Sequence, residues 1–266
     1  MIKAVIVDWA GTMVDFGSFA PVEAFRRLFL ERGIDVPFSI VRGPMGRMKK
    51  DHLRDICAAP EVAHAWTAKY GRPVDETDID EMYETFEPML MSILHEFAQP
   101  VPGAIELTER LRASGIAIGS TTGYTRPMMN IIKPEAAKRG YTPDVVVTPD
   151  EVPGGGRPYP WMVYRVAELL GIYPMHAIVK CGDTEADMYE GRHAGAWTVG
   201  VVFGGNEPGL SLEETAALSA AERERLYVEV STRLTAAGAH YIIREIGELD
   251  RVITHINHAL KRGEQP

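Results

Sequence analysis

"VIVDWAGTMVD", residues 5–15, decides the fold. Val5, Ile6 and Val7 form a β-branched run without a polar break, the pattern of a strand buried on both faces. The run carries one carboxylate, Asp8, straight into a turn at Gly11 and Thr12. Two positions after Asp8, where a second acid would be expected, stands Ala10. The chain thus delivers a carboxylate at a strand end with no acid beside it.

Outward from this stretch, similar apolar runs recur at 116–120, 144–147, 177–180 and 198–202, with a weaker one at 240–243. Helical patterns at 104–113, 127–139, 161–170 and 187–194 separate them. That alternation predicts a doubly wound α/β core built on a parallel sheet. Residues 18–99 break the rhythm with helical patterns at 21–32, 45–58, 61–69 and 78–96. The expected organisation is a core of residues 1–17 and 101–266 and an inserted all-helical cap of residues 18–100. A further helical patch, 211–237, reads as a surface excursion.

Composition narrows the partners. The 266 residues are 45% hydrophobic and 24% charged, enough for a full core. A net charge of −9, without a basic tract, argues against binding to nucleic acid or to acidic membranes. No apolar run approaches a membrane span. Two cysteines, Cys57 and Cys181, make no disulfide framework, and the chain opens directly into a strand without a signal-like segment. The expected setting is reducing and cytoplasmic.

In an open α/β sheet, ligands bind beyond the carboxyl ends of the strands. Asp8, Thr122 in "IGSTTGY" and Asp183 in "VKCGDTEAD" occupy three such ends, and Asp187 follows Asp183 by one helical turn. Taken singly, each could be a cap or turn former. Together, clustered carboxylates beside a crevice suit Mg2+, a hard ion that takes a few carboxylates along with substrate phosphate.

In order, "DWAGT", "STTG", Arg157 in "GGGRPYP" and "GDTEAD" resemble the four motifs of the haloacid dehalogenase superfamily. The resemblance covers the whole chain, helical cap included. It implies a nucleophile, Asp8, that attacks phosphorus, and Mg2+ held by Asp8, the backbone carbonyl of Ala10 and Asp183, with Asp187 in support. It also implies phosphate contacts from Thr122 and Arg157, although Ser120 and Thr121 offer hydroxyls nearby. Arg157 stands where the superfamily usually has lysine, and arginine can neutralise phosphoryl charge bidentately.

Phosphatases of the superfamily carry an aspartate two residues after the nucleophile, to protonate a departing alkoxide. Ala10 can do no such thing, so the leaving group must be activated otherwise. The cap segment "RGPMGRMKKDHLRDI", residues 42–56, offers a means. On a helix, Met45, Lys49, His52 and Ile56 fall within about 60° of one another, while Lys50 lies roughly 100° away with Asp51 and Arg54. An amine among Met45, Ile56 and a neutral His52 would be partly desolvated, which lowers its pKa and suits Schiff-base chemistry, while the same spacing also fits a lysine that snorkels from an ordinary amphipathic helix.

"DWAGT", "GPMGRMKKDH", "STTGYT", "GRPYPWM" and "CGDTEADM" together resemble the phosphonatase branch of the superfamily, the phosphonoacetaldehyde hydrolases. That branch carries its Schiff-base lysine in the same P-M-G-x-x-K-x-x-H setting, which maps to Lys49. The resemblance implies hydrolysis of a P–C bond, giving acetaldehyde and phosphate through a Lys49 imine and an aspartyl phosphate at Asp8. His52 and Tyr124 are expected to move protons at the imine, and Met45 and Gly46 to line the substrate pocket. Where some members have cysteine, this chain has Ser18. The implied partners are a small-molecule phosphonate and a second copy of the chain, as a homodimer through the cap helices. The apolar positions of residues 21–30 fit that dimer and fit packing inside one cap equally. Competing readings are a phosphomonoesterase or phosphomutase of the same superfamily, which would need an acid at position 10, and a non-catalytic binding module.

Overall fold

The computed structural model describes residues 1–44 and 49–266, with Lys49 described in its backbone alone. Met45 and Gly46, expected at the substrate pocket, lie outside the described residues. The chain divides into two compact units, residues 1–18 with 97–266 and Phe19–Glu96.

The larger unit is built on six parallel strands: β1 (Ala4–Val7), β2 (Ala117–Thr121), β3 (Val145–Val147), β4 (Ile178–Gly182), β5 (Trp197–Val201) and β6 (Tyr241–Ile243). Their order, β3-β2-β1-β4-β5-β6, reverses direction beside β1. This is the doubly wound α/β core expected from the alternation of apolar runs and helices. The reversal opens a crevice at the carboxyl ends of the central strands. Val7 pairs with Ser120 on one side and Cys181 on the other, so the chain leaves β1, β2 and β4 at one level.

Six helices of this unit cover the sheet or pack around it. They are α6 (Ala104–Ala113), α7 (Arg126–Lys138), α8 (Trp161–Leu170), α9 (Glu185–Ala194), α11 (Ala220–Ala236) and α12 (Leu249–Lys261). Ala4 and Ile6 of β1 and Ile178 of β4 meet Met162, Val163 and Val166 of α8. Each such Ile, Val or Met contributes about 1.5–3 kcal/mol by leaving water. The helical patch expected over 211–237 is two helices, α10 (Leu212–Ala217) and α11, because Ser219 caps the second in a box with Glu222. Helix α12 was not evident in the sequence. Its apolar residues Leu249, Ile253, Ile256 and Ala259 recur with helical spacing, but they stand among polar neighbours.

Among the described residues, the secondary structure of the smaller unit is helical: α1 (Phe19–Glu31), α2 (Phe38–Arg42), α3 (Lys49–Ala58), α4 (Pro60–Tyr70) and α5 (Glu76–Ile93). Asp75 caps α5 and exchanges hydrogen bonds with Asp78, starting the helix before the expected residue 78. Its core centres on Phe25, whose ring stacks on Phe86 at 4.2 Å and lies 4.1 Å from the His52 ring. The unit ends at Glu96, short of the expected residue 100. Residues 99 and 100 join the larger unit, since the Asp15 amide donates to the carbonyl of Gln99 and Pro100 bridges to Val14. Among the described residues, no helix is long and apolar enough to cross a membrane.

Candidate active site

Asp8 is the first residue beyond β1 and is buried, with 5% of its surface exposed. Asp183 is the first beyond β4, which runs two residues past its expected end. Asp187 lies in the first turn of α9. The three carboxylates offer oxygens within 4.8 Å of one another.

Each is held differently. Asp183 accepts from the Thr12 hydroxyl at 2.8 Å and from the Asn206 amide at 2.7 Å. Burial, with the charges of Asp8 and Asp187, pushes its carboxyl well above the ordinary 3.8. Asp8 is also raised: burial and the Asp187 charge outweigh the Arg157 guanidinium. Asp187 goes the other way. Burial works to raise it, but Arg157 and Lys180 hold its carboxyl below the ordinary value. Its Oδ1 takes Lys180 Nζ at 2.7 Å and its Oδ2 takes the Thr184 hydroxyl at 2.6 Å. Asp187 is thus tied to two cations, whereas Asp183 accepts from neutral donors alone and Asp8 Oδ2 accepts no hydrogen bond among the described residues, so lone pairs of both remain for a ligand.

Arg157 comes from the loop before α8. Its Nη2 donates to Asp8 Oδ1 at 2.5 Å and to the Thr121 carbonyl at 3.0 Å, and its Nε donates to Glu190 at 3.1 Å. Buried together, the four carboxylates of Asp8, Asp183, Asp187 and Glu190 outnumber the two cations beside them among the described residues: Arg157 pairs with Asp8, Asp187 and Glu190, Lys180 pairs with Asp187 and Glu190, and Asp183 pairs with neither. An excess of two negative charges out of water is costly unless a cation offsets it. A divalent ion on hard oxygen ligands fits both the charge and the donor set. No backbone donor among the described residues takes up the carbonyl of Ala10, which leaves that oxygen available to such an ion.

The hydroxyls at the end of β2 are distinguishable. Ser120 donates to the Val7 carbonyl and Thr121 to Glu190, so both are spent inside the protein. Thr122 accepts from the Tyr124 amide at 3.1 Å and keeps its own hydrogen uncommitted among the described residues. Tyr124 is buried and its hydroxyl has no partner among the described residues. Burial and the charges of Asp15, Asp8 and Asp183 push that phenol well above its ordinary value, so it stays protonated.

Steric room comes from missing side chains. A Cβ on Gly11, whose φ is +82°, would stand 2.5 Å from Asp183 Oδ2. One on Gly182 would fall on the Asp187 carboxyl, and one on Gly205 would stand 2.7 Å from the Asp183 Cβ.

The remaining expected residues belong to the helical unit. His52 is wholly buried, and its Nε2 lies 2.6 Å from the Val41 carbonyl, an acceptor, so Nε2 carries the proton there. Lys50 pairs with Asp80, and Arg54 with Asp51 and Glu76, all on the exposed side of α3. Lys49 opens α3.

Thr12, Asn206, Lys180 and Glu190 were not evident as site residues. Two of them did carry a signal. Lys180 is a charge inside an apolar strand, and Glu190 shares the buried face of α9 with Asp187, Gly191 and Ala194.

The family profile of the haloacid dehalogenase-like hydrolases matches residues 2–195. Phosphonoacetaldehyde hydrolase of Bacillus thuringiensis (strain Al Hakam) is 51% identical over 256 residues, covering 96% of either chain. A bifunctional phosphonoacetaldehyde hydrolase/aminoethylphosphonate transaminase of Clostridioides difficile (strain 630) is 48% identical over 97% of this chain, which spans 40% of that longer protein. Among solved structures, a phosphonoacetaldehyde hydrolase like protein from Oleispira antarctica superposes with a TM-score of 0.86. It is 41% identical, and the match covers 100% of this chain and 96% of that one.

Proposed function

The chain belongs to the haloacid dehalogenase-like hydrolases and, within them, to the phosphonoacetaldehyde hydrolases; from that premise we propose that it hydrolyses the P–C bond of phosphonoacetaldehyde. The observation that carries the proposal is Ala10, two residues after a buried Asp8 that is paired with Arg157. A nucleophile placed for phosphorus without an acid for a leaving oxygen suits a substrate whose phosphorus is bonded to carbon.

In the proposed reaction, the Lys49 amine condenses with the aldehyde and water departs. An Asp8 oxygen attacks phosphorus, and the P–C bonding electrons move into the protonated imine, giving an enamine and an aspartyl phosphate. The enamine takes a proton at carbon. Water then hydrolyses the aspartyl phosphate and the imine, releasing phosphate and acetaldehyde. Tyr124, whose phenol stays protonated beside the acids, is the proposed proton donor in the core unit, and His52 shares the proton traffic. Thr122 and Arg157 bind the phosphoryl oxygens, and Met45 and Gly46 are the proposed substrate contacts of the helical unit.

Asp8, the Ala10 carbonyl and Asp183 would hold Mg2+, with Asp187 supporting them; bound there, the ion neutralises phosphoryl charge. Asp183→Ala is expected to weaken Mg2+ binding and turnover together, and unchanged affinity by titration would hand the ligand role to another acid. The proton competes for the same oxygen. With its carboxyl raised, Asp183 favours the folded chain while protonated and loses that contribution as pH climbs through the raised value. Mg2+ needs the carboxylate, so its rise in melting temperature should be larger at neutral pH than at about pH 5.

The proposed assembly is a homodimer through the helical unit. Most apolar side chains of α1 are consumed inside that unit, but Leu30, Phe38, Tyr70 and Tyr83 remain exposed on it. A monomer mass in solution would refute this. A cytoplasmic setting agrees with two free, buried cysteines. The deciding assay is acetaldehyde release from phosphonoacetaldehyde, with and without Mg2+. Equal phosphate release from simple phosphate monoesters, with none from the phosphonate, would overturn the proposal.

A further inference from the structure

Glu190 takes no part in the reaction just described, yet it is a fully buried carboxylate beside the site. Its Oε2 collects three donors from three elements: Arg157 Nε at 3.1 Å, Thr121 Oγ1 at 2.9 Å from β2, and Lys180 Nζ at 3.4 Å from β4. Its Oε1 has no partner among the described residues. An ion buried with one oxygen unsatisfied is costly, and a polar packing role alone would not require a charge.

The geometry at Arg157 shows what the charge accomplishes. A guanidinium is a planar fork, and fixing its Nε fixes the plane in which both Nη groups point. With Nε on Glu190, Nη2 reaches Asp8 Oδ1 and the Thr121 carbonyl, while Nη1 makes no hydrogen bond among the described residues. Without Glu190, the guanidinium could turn to form a two-pronged pair with Asp8 or Asp187, occupying the nucleophile and using both prongs. Lys180 and the Thr121 hydroxyl hold Glu190 in turn, so the arrangement is fixed from the sheet outward.

We propose that Glu190 is a positioning residue that aims the Arg157 fork, keeping Nη1 free for a phosphoryl oxygen and leaving the second oxygen of Asp8 free to attack. The proposal rests on the reading of Arg157 as a phosphoryl ligand. It also explains how arginine serves where the superfamily usually has lysine. A lysine ammonium has no plane to be aimed and would need no partner of this kind.

The test is a double-mutant cycle in the Mg2+-loaded protein: wild type, Glu190→Gln, Arg157→Lys and the double variant. Turnover of phosphonoacetaldehyde and calorimetric binding of inorganic phosphate are read on each, with thermal melting to establish folding. With Arg157 in place, Glu190→Gln should lower kcat between roughly tenfold and a hundredfold, the scale of a misplaced catalytic group. KM should move less than kcat, and phosphate affinity should fall. In the Arg157→Lys background the same substitution should cost less than about twofold, because the Nε donor is already gone. Glu190→Asp, one methylene shorter, should behave like Glu190→Gln and replaces it if the glutamine variant does not fold. An equal loss in both backgrounds would make Glu190 merely structural and overturn the proposal, as would a silent Glu190→Gln in the wild-type background. If wild type bound phosphate but did not turn over the phosphonate, the substrate reading would fall, and the cycle on phosphate affinity would still decide the role of Glu190.

Discussion

Replacing Asp8 by asparagine or alanine is expected to abolish turnover and leave the fold intact. Asp8 is the proposed atom donor to phosphorus, and no neighbouring group can substitute: Asp183 is held by Thr12 and Asn206, and Asp187 by Lys180 and Thr184. Loss of a covalent nucleophile costs several orders of magnitude in kcat. The fold should not suffer, because Arg157 keeps Asp187 at 3.0 Å and Glu190 at 3.1 Å when Asp8 loses its charge. Removing one carboxylate from a cluster with excess negative charge should even raise the melting temperature of the Mg2+-free protein. Phosphate release and thermal melting on the same preparations check both halves. Release at the wild-type rate from either folded variant would end the assignment.

The second large effect separates two adjacent lysines. Lys49→Arg keeps a cation but replaces an amine that can form an imine with a guanidinium that cannot, so activity should collapse by several orders of magnitude. Lys50→Arg should leave activity nearly unchanged and alter stability by no more than about 0.5 kcal/mol. The surroundings of α3 motivate the contrast. His52, Leu53 and Ile56 are wholly buried, while Lys50 pairs with Asp80 on the exposed side together with Arg54 and its acidic partners. Borohydride treatment in the presence of phosphonoacetaldehyde should label Lys49 and spare Lys50. A label on Lys50, or near-normal turnover by Lys49→Arg, would require the Schiff-base mechanism to be abandoned.

The parts of the fold legible in the sequence were those with contiguous chemistry. Strands buried on both faces appear as unbroken apolar runs, and the six runs match the strands to within two residues at either end. Helix α12 escaped because its apolar stripe is visible only at helical spacing, and its one adjacent apolar pair near the start, Val252 and Ile253, is too short to draw attention. At the site, Asp8, Thr122 and Asp183 are marked by their position after a strand, a topological cue that needs no coordinates, and Asp187 by following Asp183 by one helical turn. Glu190 and Lys180 could not be placed that way. Their importance lies in which side chain meets which across α9 and β4, and a sequence shows only that a charge stands where an apolar residue is usual. The engagement of Ser120 and Thr121 was equally hidden, since the first depends on the β2 register against β1 and the second on where α9 places Glu190.

The three glycines around the carboxylates bear on any attempt to redesign this pocket. Because the volume beside Gly11, Gly182 and Gly205 is taken up by Asp183 and Asp187, each position is closed even to alanine. A randomised library that includes them would spend most of its members on displaced acids and collapse before selection could see a new substrate preference. Diversity is better placed elsewhere, with those three codons left fixed. The pocket's tolerance to evolution is thus set as much by where side chains are missing as by the ones that react.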